Sequence, residues 1–381
     1  MIPIIDRHIL KEWLKIFLMA LCAMAGMLLI SSIYNDLQDM LQWEVPTLEV
    51  VEFFFMTTVG FLPVVIPVSL LVSLLFILGH FHKNQELTAW RAAGLGIFRI
   101  TRSLWGAGAA LSLLMLFLNA TFVPYATERT TRIVQKYDKS GKSGEFIFYN
   151  NVGARRIWLI SNFKSSTGEA RNVNIYEFDA KSRLKREIAA ATGVYDESAG
   201  TWTLADGREM EWREPAAGGP PSSQKTFDKL AGAPADADGN AKPLRTLTPE
   251  AYPENPRLML LASKKPGDLS LPEIGELLDR SGGNASEAQL AEYSVYYNSI
   301  LASPFCCLIV VGIAIPFAVA GVRTNPMVGV SKSIGLFAAY FLLTNIFNAL
   351  GSGLWLPPVV AAWAPNVLLF VYAVWLCRKV N

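Results

Sequence analysis

The sequence predicts an α-helical membrane protein with six transmembrane helices and an inserted, periplasmic all-β domain of jelly-roll-like type. Hydrophobic residues make up 52% of the 381 residues and charged residues only 17%, whereas soluble domains contain about 25% charged residues. The apolar excess lies in long uncharged runs, which is typical of an integral membrane protein. Between the third and fourth runs the chain is polar and contains short β-branched and aromatic segments, which favour strands.

Six runs are long enough to cross a bilayer, which takes about 20 mostly apolar residues. They are Trp13–Ile33, Phe53–Leu78, Ser103–Val123, Tyr297–Val319, Gly329–Asn348 and Val359–Cys377. The first run continues beyond a normal signal-peptide core, so a retained span is favoured over a cleaved leader. We therefore expect residues 1–124 to hold three spans, residues 125–294 to form the inserted domain, and residues 295–381 to hold three more spans.

The distribution of basic residues predicts the orientation, because short loops rich in Lys and Arg stay in the cytoplasm. Eleven Lys and Arg residues lie on one predicted side, and the two short loops opposite, Tyr34–Glu52 and Ala349–Pro358, contain none. Both termini are therefore predicted to be cytoplasmic and the inserted domain external. All four cysteines lie in apolar runs, and an external β domain without disulfides suits the periplasm beyond a bacterial inner membrane.

The sequence of the inserted domain predicts short strands separated by polar turns, a pattern typical of a sandwich, a jelly roll or an open barrel. The predicted strands are Phe146–Tyr149, Arg156–Ile160, Val173–Phe178, Arg186–Val194, Thr201–Leu204 and Glu209–Trp212, with a turn at Asp206-Gly207. Residues 214–243 are rich in Pro, Ala, Gly, Asp and Ser and are predicted to form a flexible loop. A short amphipathic helix is predicted from Leu271, at the membrane surface.

No pattern of catalytic residues emerges, so we expect no enzyme, no cofactor and no metal site. The sequence lacks H-E-x-x-H, G-x-S-x-G and C-x-x-C motifs, and it contains only three histidines. A net charge of +2 provides no field that would recruit nucleic acid. No predicted span carries an ionisable residue near its middle, which disfavours proton-coupled transport. A transporter of this kind would take its energy from a partner.

The cytoplasmic loop between spans two and three is the first candidate site. Asn84 is predicted to cap a short helix with Glu86 in its first turn, and Gly94 is predicted to end it. Leu87, Trp90 and Arg91 lie between them. Two interpretations stay open: an interfacial helix with Trp90 as its membrane anchor, or a docking helix that inserts into a cytoplasmic motor.

A second group of residues is predicted to contact lipid. Arg129, Arg132 and Lys136 share one face if the helix of span three continues past Pro124, and three cations there could bind a lipid phosphate or carboxylate. Ser32 lies in a polar cluster at the end of span one, and Pro67 follows Pro63 in span two. The alternatives are that the three cations form a solvated helix face, that the polar cluster with Ser32 only marks the membrane interface, and that the prolines of span two cause a static kink.

These features together resemble the LptF/LptG permeases of the lipopolysaccharide transport system, closer to the LptG type. The residues that carry the resemblance are Asp6-Arg7, Pro67, the loop Gln85–Gly94, Asn174–Phe178 with the stretch Ala189–Trp202, and Asn325-Pro326-Met327. The likeness covers nearly the whole chain, and the topology and the loop are its more specific parts.

The resemblance implies a half-transporter that pairs with a second, LptF-like permease and binds a cytoplasmic ATPase dimer of LptB type. It implies that lipopolysaccharide passes through a cavity between the permeases into the periplasmic jelly roll, and onward to a bridge protein of LptC or LptA type. The segment 84–94 corresponds to the family's coupling helix, with Glu86 facing the ATPase.

One departure from the family keeps alternatives open. Relatives can carry lysines at the outer end of span one, whereas Ser31–Gln42 contains Asp36 and Asp39 and neither Lys nor Arg. No lipid-contact residue is therefore transferred from the family. The alternatives are an ATP-driven permease for another envelope lipid or lipoprotein, a docking protein that transports nothing, and a membrane enzyme, which the lack of a catalytic constellation disfavours.

Overall fold

The chain folds into two compact units. A computed structural model describes residues 4–137, 145–164, 167–212, 223–227, 245–248, 250–281, 286–319 and 326–380. One unit comprises Met1–Ile133 and Ala291–Asn381, and the other comprises Val134–Leu290. We call them the helical unit and the β unit.

Helices dominate the first unit, and the second adds two short ones. In chain order the described helices are α1 Ile4–Gln42, α2 Thr47–Lys83, α3 Glu86–Ala92, α4 Ile97–Phe117, α5 Val123–Tyr137, α6 Pro256–Ser263, α7 Leu271–Arg280, α8 Glu287–Ala302, α9 Phe305–Val319, α10 Pro326–Ser352 and α11 Pro358–Val380. Five helical segments are long and apolar enough to span a membrane, and α8 with α9 supplies a sixth, broken segment. The prediction of a multi-pass helical membrane protein is confirmed.

The fourth span, predicted as the run Tyr297–Val319, is not one continuous helix. It breaks between α8 and α9, whose axes differ by 53°. Pro304 lies in the break, and proline cannot donate the backbone hydrogen bond that a continuous helix needs. The Nδ2 atom of Asn119 donates to Ser303 Oγ at 3.0 Å, so a side chain from the third span reaches the break.

The helix of span three does continue past Pro124, as the predicted cationic face requires. A π-helical turn, Leu118–Phe122, joins α4 to α5 directly before this proline. Because Pro124 has no N–H group, the preceding turn must rearrange its hydrogen bonds, and single π-helical turns are a common solution.

The buried core of the helical unit lies along α2 and α9. Leu70, Leu74 and Leu78 of α2 and Val310, Ile313 and Ala314 of α9 are at most 1% exposed. A Cβ atom on Gly312 would lie 2.9 Å from Cβ of Ala373 in α11, so this glycine allows close helix packing, as small residues do in membranes. In contrast, large apolar side chains of α1 and α10 point outward, including Met19, Met27, Phe341 and Leu342.

The β unit contains one antiparallel sheet in the order β1 to β6, with β7 also paired to β5. Its strands are β1 Glu145–Asn151, β2 Arg156–Lys164, β3 Glu169–Phe178, β4 Leu184–Asp196, β5 Thr201–Glu211, β6 Ser223–Phe227 and β7 Arg245–Leu247. Each of the first five strands pairs with the next, which is the connectivity of a meander. The prediction of an inserted β domain is confirmed, but the unit also contains α6 and α7 and is therefore not all-β. The jelly-roll arrangement stays a prediction.

Two details of the strand prediction were wrong. Thr201–Leu204 and Glu209–Trp212 were predicted as separate strands, but Thr201–Glu211 is one strand paired along its length with β4. Asp206 has a φ of 53°, a conformation that Asp tolerates better than most residues. The pairing with β4 continues on both sides of this residue, so the Asp-Gly pair does not reverse the chain. Part of the predicted loop 214–243 is strand β6, and the rest of it lies outside the described residues.

Ion pairs and hydrogen bonds hold the segment that precedes α6 against the sheet. Arg156 of β2 donates from Nη1 to both oxygens of Glu254, at 2.9 and 3.0 Å, and the Tyr252 hydroxyl donates to Glu177 at 2.8 Å. Burial, more than the nearby Glu177 carboxylate, raises the pKa of Tyr252, so this hydroxyl remains a donor at neutral pH. The predicted helix from Leu271 is confirmed as α7, which starts with a Ser270–Glu273 capping box.

Candidate functional site

The loop between the second and third spans folds into the short helix α3. Its seven residues, Glu86–Ala92, are too few to form a stable isolated helix in water. The chain turns sharply at both ends, where Gln85 has a φ of 61° and Gly94 a φ of 83°. The prediction that Gly94 ends the helix is thus supported by its left-handed conformation.

The prediction that Asn84 caps α3 was wrong. Asn84 ends the preceding helix: its backbone N–H group donates to the carbonyl oxygen of His80 at 3.0 Å, and the N–H group of Gln85 donates to that of His82 at 3.1 Å. Gln85 occupies the cap position of α3 without a side-chain hydrogen bond. Because the turn between the two helices is so short, Asn84 is still bound to α2, and its Nδ2 atom lies 3.0 Å from His80 Nε2.

Two apolar side chains anchor α3 to the core of the helical unit. Leu87 is 2% exposed, and the indole ring of Trp90 packs edge-on against Phe81 of α2, with 5.4 Å between ring centroids. Leu87 belongs to the buried cluster that also contains Ile97 at the start of α4, and the half-buried Trp90 packs against that cluster. Trp90 therefore serves as an internal anchor of the loop, which favours the docking interpretation over a membrane anchor.

The remaining side chains of α3 form its outward face. Thr88, Ala89, Arg91 and Ala92 are exposed. Glu86 is half-buried, with 33% of its side chain exposed, and its Oε2 atom lies 3.6 Å from Nε2 of His8 in α1. The carboxylate therefore lies at the edge of the outward face, within reach of both α1 and an approaching partner.

An ion pair that the sequence reasoning missed holds the start of α1 against α4. Arg102 donates from Nε to Asp6 Oδ2 at 2.8 Å and also from Nη2. The Asp6 side chain is only 8% exposed and that of Arg102 is 34% exposed. The carboxylate in the first turn of α1 was the available signal, because an acidic side chain that becomes buried needs a cationic partner.

Each of the three predicted lipid-binding cations contacts another side chain of the protein. Arg129 donates to both carboxylate oxygens of Glu52 in α2, at 2.6 and 3.2 Å. Arg132 pairs with Glu128 one turn earlier, and the Lys136 ammonium lies 4.7 Å from the centre of the Tyr137 ring. Arg129 thus braces α5 against α2, a role that residue spacing alone does not reveal.

The two other predicted lipid residues are each held within their own helix. Ser32 is 7% exposed and donates its hydroxyl to Asp36 Oδ2 at 2.9 Å. Pro67 is buried inside α2, which continues through both of its prolines. One turn and two turns further along α2, Leu70 and Leu74 lie in the core, so the proline segment adjoins the best-packed part of the unit.

We expect Asp6→Asn to lower the unfolding free energy by about 2 kcal/mol, between the values for exposed and fully buried ion pairs. Thermal unfolding of the purified full-length chain in detergent measures this. Glu12→Gln is the matched control, because Glu12 pairs with Lys15 on the exposed side of the same helix. The double variant Asp6→Arg with Arg102→Asp, which restores an ion pair of reversed polarity, should recover part of the lost unfolding free energy. Equal effects of Asp6→Asn and Glu12→Gln would contradict the role of Asp6 in holding α1 against α4.

Comparison with known proteins agrees with this architecture. The family model described as lipopolysaccharide export system permease LptF/LptG matches residues 7–379. Two curated relatives, each called lipopolysaccharide export system permease protein LptG, come from Escherichia coli strains K12 and O6:H1. Each is 22% identical over 382 residues, covering 99% of this chain and 98% of the relative. The chain therefore belongs to the LptF/LptG family of lipopolysaccharide export system permeases.

Proposed function

We propose that this chain is the LptG-type half of an ATP-driven exporter and that α3 is the surface through which a cytoplasmic ATPase drives it. Family membership makes the chain a permease subunit of the lipopolysaccharide export system. The proposal adds the source of energy, the docking surface, the orientation and the partners.

The geometry of α3 is the observation that carries the proposal. A helix held by Leu87 and Trp90 in the core of three spans transmits a push on its outward face to those spans, because packed interiors deform little. The sequence contains no nucleotide-binding motif that would let the chain hydrolyse ATP itself. A separate ATPase that binds α3 accounts both for the anchoring of this short helix and for the lack of a nucleotide-binding motif.

The orientation follows from the basic residues near α3. Asp6 contacts Arg102, and Ile97 lies with Cys377 and Arg378 around one cavity, so the start of α1, the start of α4 and the end of α11 lie at one end of the helical unit. Lys and Arg are concentrated in the segments at this end, which supports a cytoplasmic location for both termini. The β unit then lies in the periplasm of a bacterium.

The proposed partners complete the transport path. A second permease of LptF type would cover the apolar outward faces of α1 and α10, and an ATPase dimer of LptB type would bind α3 and its counterpart. The β unit would hand lipopolysaccharide to a bridge protein of LptC or LptA type. Among the strands that the structure describes, β1 pairs only with β2, so another strand could add at its other edge.

The cargo contact that we propose involves the cations of α5. Arg129, Arg132 and Lys136 would exchange their present neighbours for phosphate groups, since an exposed ion pair contributes little free energy and is easily replaced. The acidic segment Ser31–Gln42 keeps a differently charged envelope lipid as the alternative cargo.

We expect Glu86→Arg to abolish export and to lower the amount of ATPase that co-purifies by about tenfold or more, as for reversal of a charge within an interface. The protein should still reach the membrane in normal amounts. Affinity purification from membranes followed by quantitative mass spectrometry measures both quantities.

Glu12→Arg is the matched control for this prediction. Glu12 and Glu86 have similar side-chain exposure, 35% and 33%, and each lies within 4 Å of a side-chain nitrogen, that of Lys15 and that of His8 respectively. Only Glu86 belongs to α3. Normal ATPase association of Glu86→Arg, or an equal loss with Glu12→Arg, would argue against α3 as the docking surface.

We expect joint replacement of Arg129, Arg132 and Lys136 by Gln to reduce lipopolysaccharide crosslinking at Tyr125 by about tenfold, the effect of losing one charge-assisted hydrogen bond. Photocrosslinking with benzoylphenylalanine at Tyr125 measures it, and Glu52→Gln serves as the control. That change breaks the ion pair but keeps Arg129, so crosslinking should persist. A loss as large as in the triple variant would mean that the cations only brace the helices.

A further inference from the structure

The helical unit has an apolar groove that the export mechanism does not use. It lies between α4, α9 and α11 and has a volume of about 310 Å³. All its lining residues among those that the structure describes belong to these three helices. Among its lining residues are Phe98, Trp105, Ile315, Phe370, Val374 and Arg378.

The groove has an apolar body and one charged group at its end. Two of its polar side chains already have partners inside the protein, since Thr101 Oγ1 donates to the carbonyl of Ile97 at 3.0 Å and Cys377 Sγ lies 3.5 Å from the carbonyl of Gly312. Arg378 is exposed, and no carboxylate pairs with it within the part of the chain that the structure describes. A ligand that fits must be apolar along its length and anionic at one end.

The dimensions fit a single acyl chain. The lining residues of α4 run from Ile97 to Trp105, which is about 12 Å at a rise of 1.5 Å per residue. A volume near the lower limit of small-molecule pockets, roughly 300 Å³, has no room for a lipid with many acyl chains. Arg378 lies two turns beyond Phe370 on α11, at the end where the spans leave the membrane.

We propose that this groove binds an anionic glycerophospholipid, with one acyl chain along Trp105 and Phe370 and the phosphate on the Arg378 guanidinium. The planar guanidinium can donate two parallel hydrogen bonds to phosphate oxygens, and a long Arg side chain at a helix end reaches the headgroup region while its stem stays in the apolar layer. The rim of the groove carries the exposed ring of Phe98, so the groove is open on the side from which a lipid would enter.

The bound lipid is distinct from the exported cargo. The site is independent of α3 and of the cations of α5, and only its assignment to the cytoplasmic leaflet rests on the orientation proposed above. Anionic lipids attract basic residues at that leaflet. A lipid wedged between α4, α9 and α11 would stabilise the packing of the third, fourth and sixth spans.

Photocrosslinking tests this site in the full chain reconstituted into phosphatidylcholine nanodiscs. Benzoylphenylalanine replaces Phe98, and alkyne-tagged phosphatidylglycerol, phosphatidylcholine or lipopolysaccharide is supplied as the probe. Because the probes occupy both leaflets, the result does not depend on the orientation of the chain. We expect capture of phosphatidylglycerol to exceed that of phosphatidylcholine by about fivefold, as for one basic residue at an anionic surface.

Three variants separate the proposed contact from a general effect of charge or folding. Arg378→Ala should reduce capture of phosphatidylglycerol to the phosphatidylcholine level, whereas Arg99→Ala, an exposed cation of α4 outside the groove, should leave the preference unchanged. Val374→Trp, which fills the groove, should lower capture of both phospholipids. Equal capture of the two phospholipids by the unsubstituted groove, equal effects of the two Arg variants, or preferred capture of lipopolysaccharide would overturn the proposal.

Discussion

The packing of Trp90 against Phe81, together with the burial of Leu87, is the interaction on which the proposed mechanism depends. A seven-residue helix has too few internal hydrogen bonds to hold its shape alone, so its position is set by these two side chains. The Asp6–Arg102 pair and the Glu86–His8 contact then tie α1 to the same end of the unit. A partner that moves α3 therefore acts on the first three spans together.

The spans combine a rigid core with places where the helices can deform. The side chains of α2 and α9 are tightly packed. The π-helical turn before Pro124 interrupts the third span, and the break at Pro304 interrupts the fourth span directly before α9. The hydrogen bond from Asn119 to Ser303 connects these two irregular places. We expect changes of span geometry to concentrate there, because irregular turns rearrange at lower cost than packed helix interiors.

Sequence patterns were sufficient for the spans, the antiparallel β insertion and the existence of α3, since each depends on local periodicity and turn residues. They were insufficient where a single residue decides between two local structures. Asn84 has the chemistry of a helix cap but ends α2, and Asp206-Gly207 has the chemistry of a turn but continues a strand. Contacts between distant residues, such as Arg129 with Glu52 and Asp6 with Arg102, leave no periodic signal in the sequence.

The central claim is that this chain is a permease driven by a separate ATPase. The most direct measurement is affinity purification of the unsubstituted protein from its native membrane in mild detergent, with mass spectrometry of the retained proteins and lipids. We expect the purified complex to contain an ATPase, a second six-span permease and lipopolysaccharide. Recovery of the chain without any ATPase would contradict the account and favour a docking protein that transports nothing.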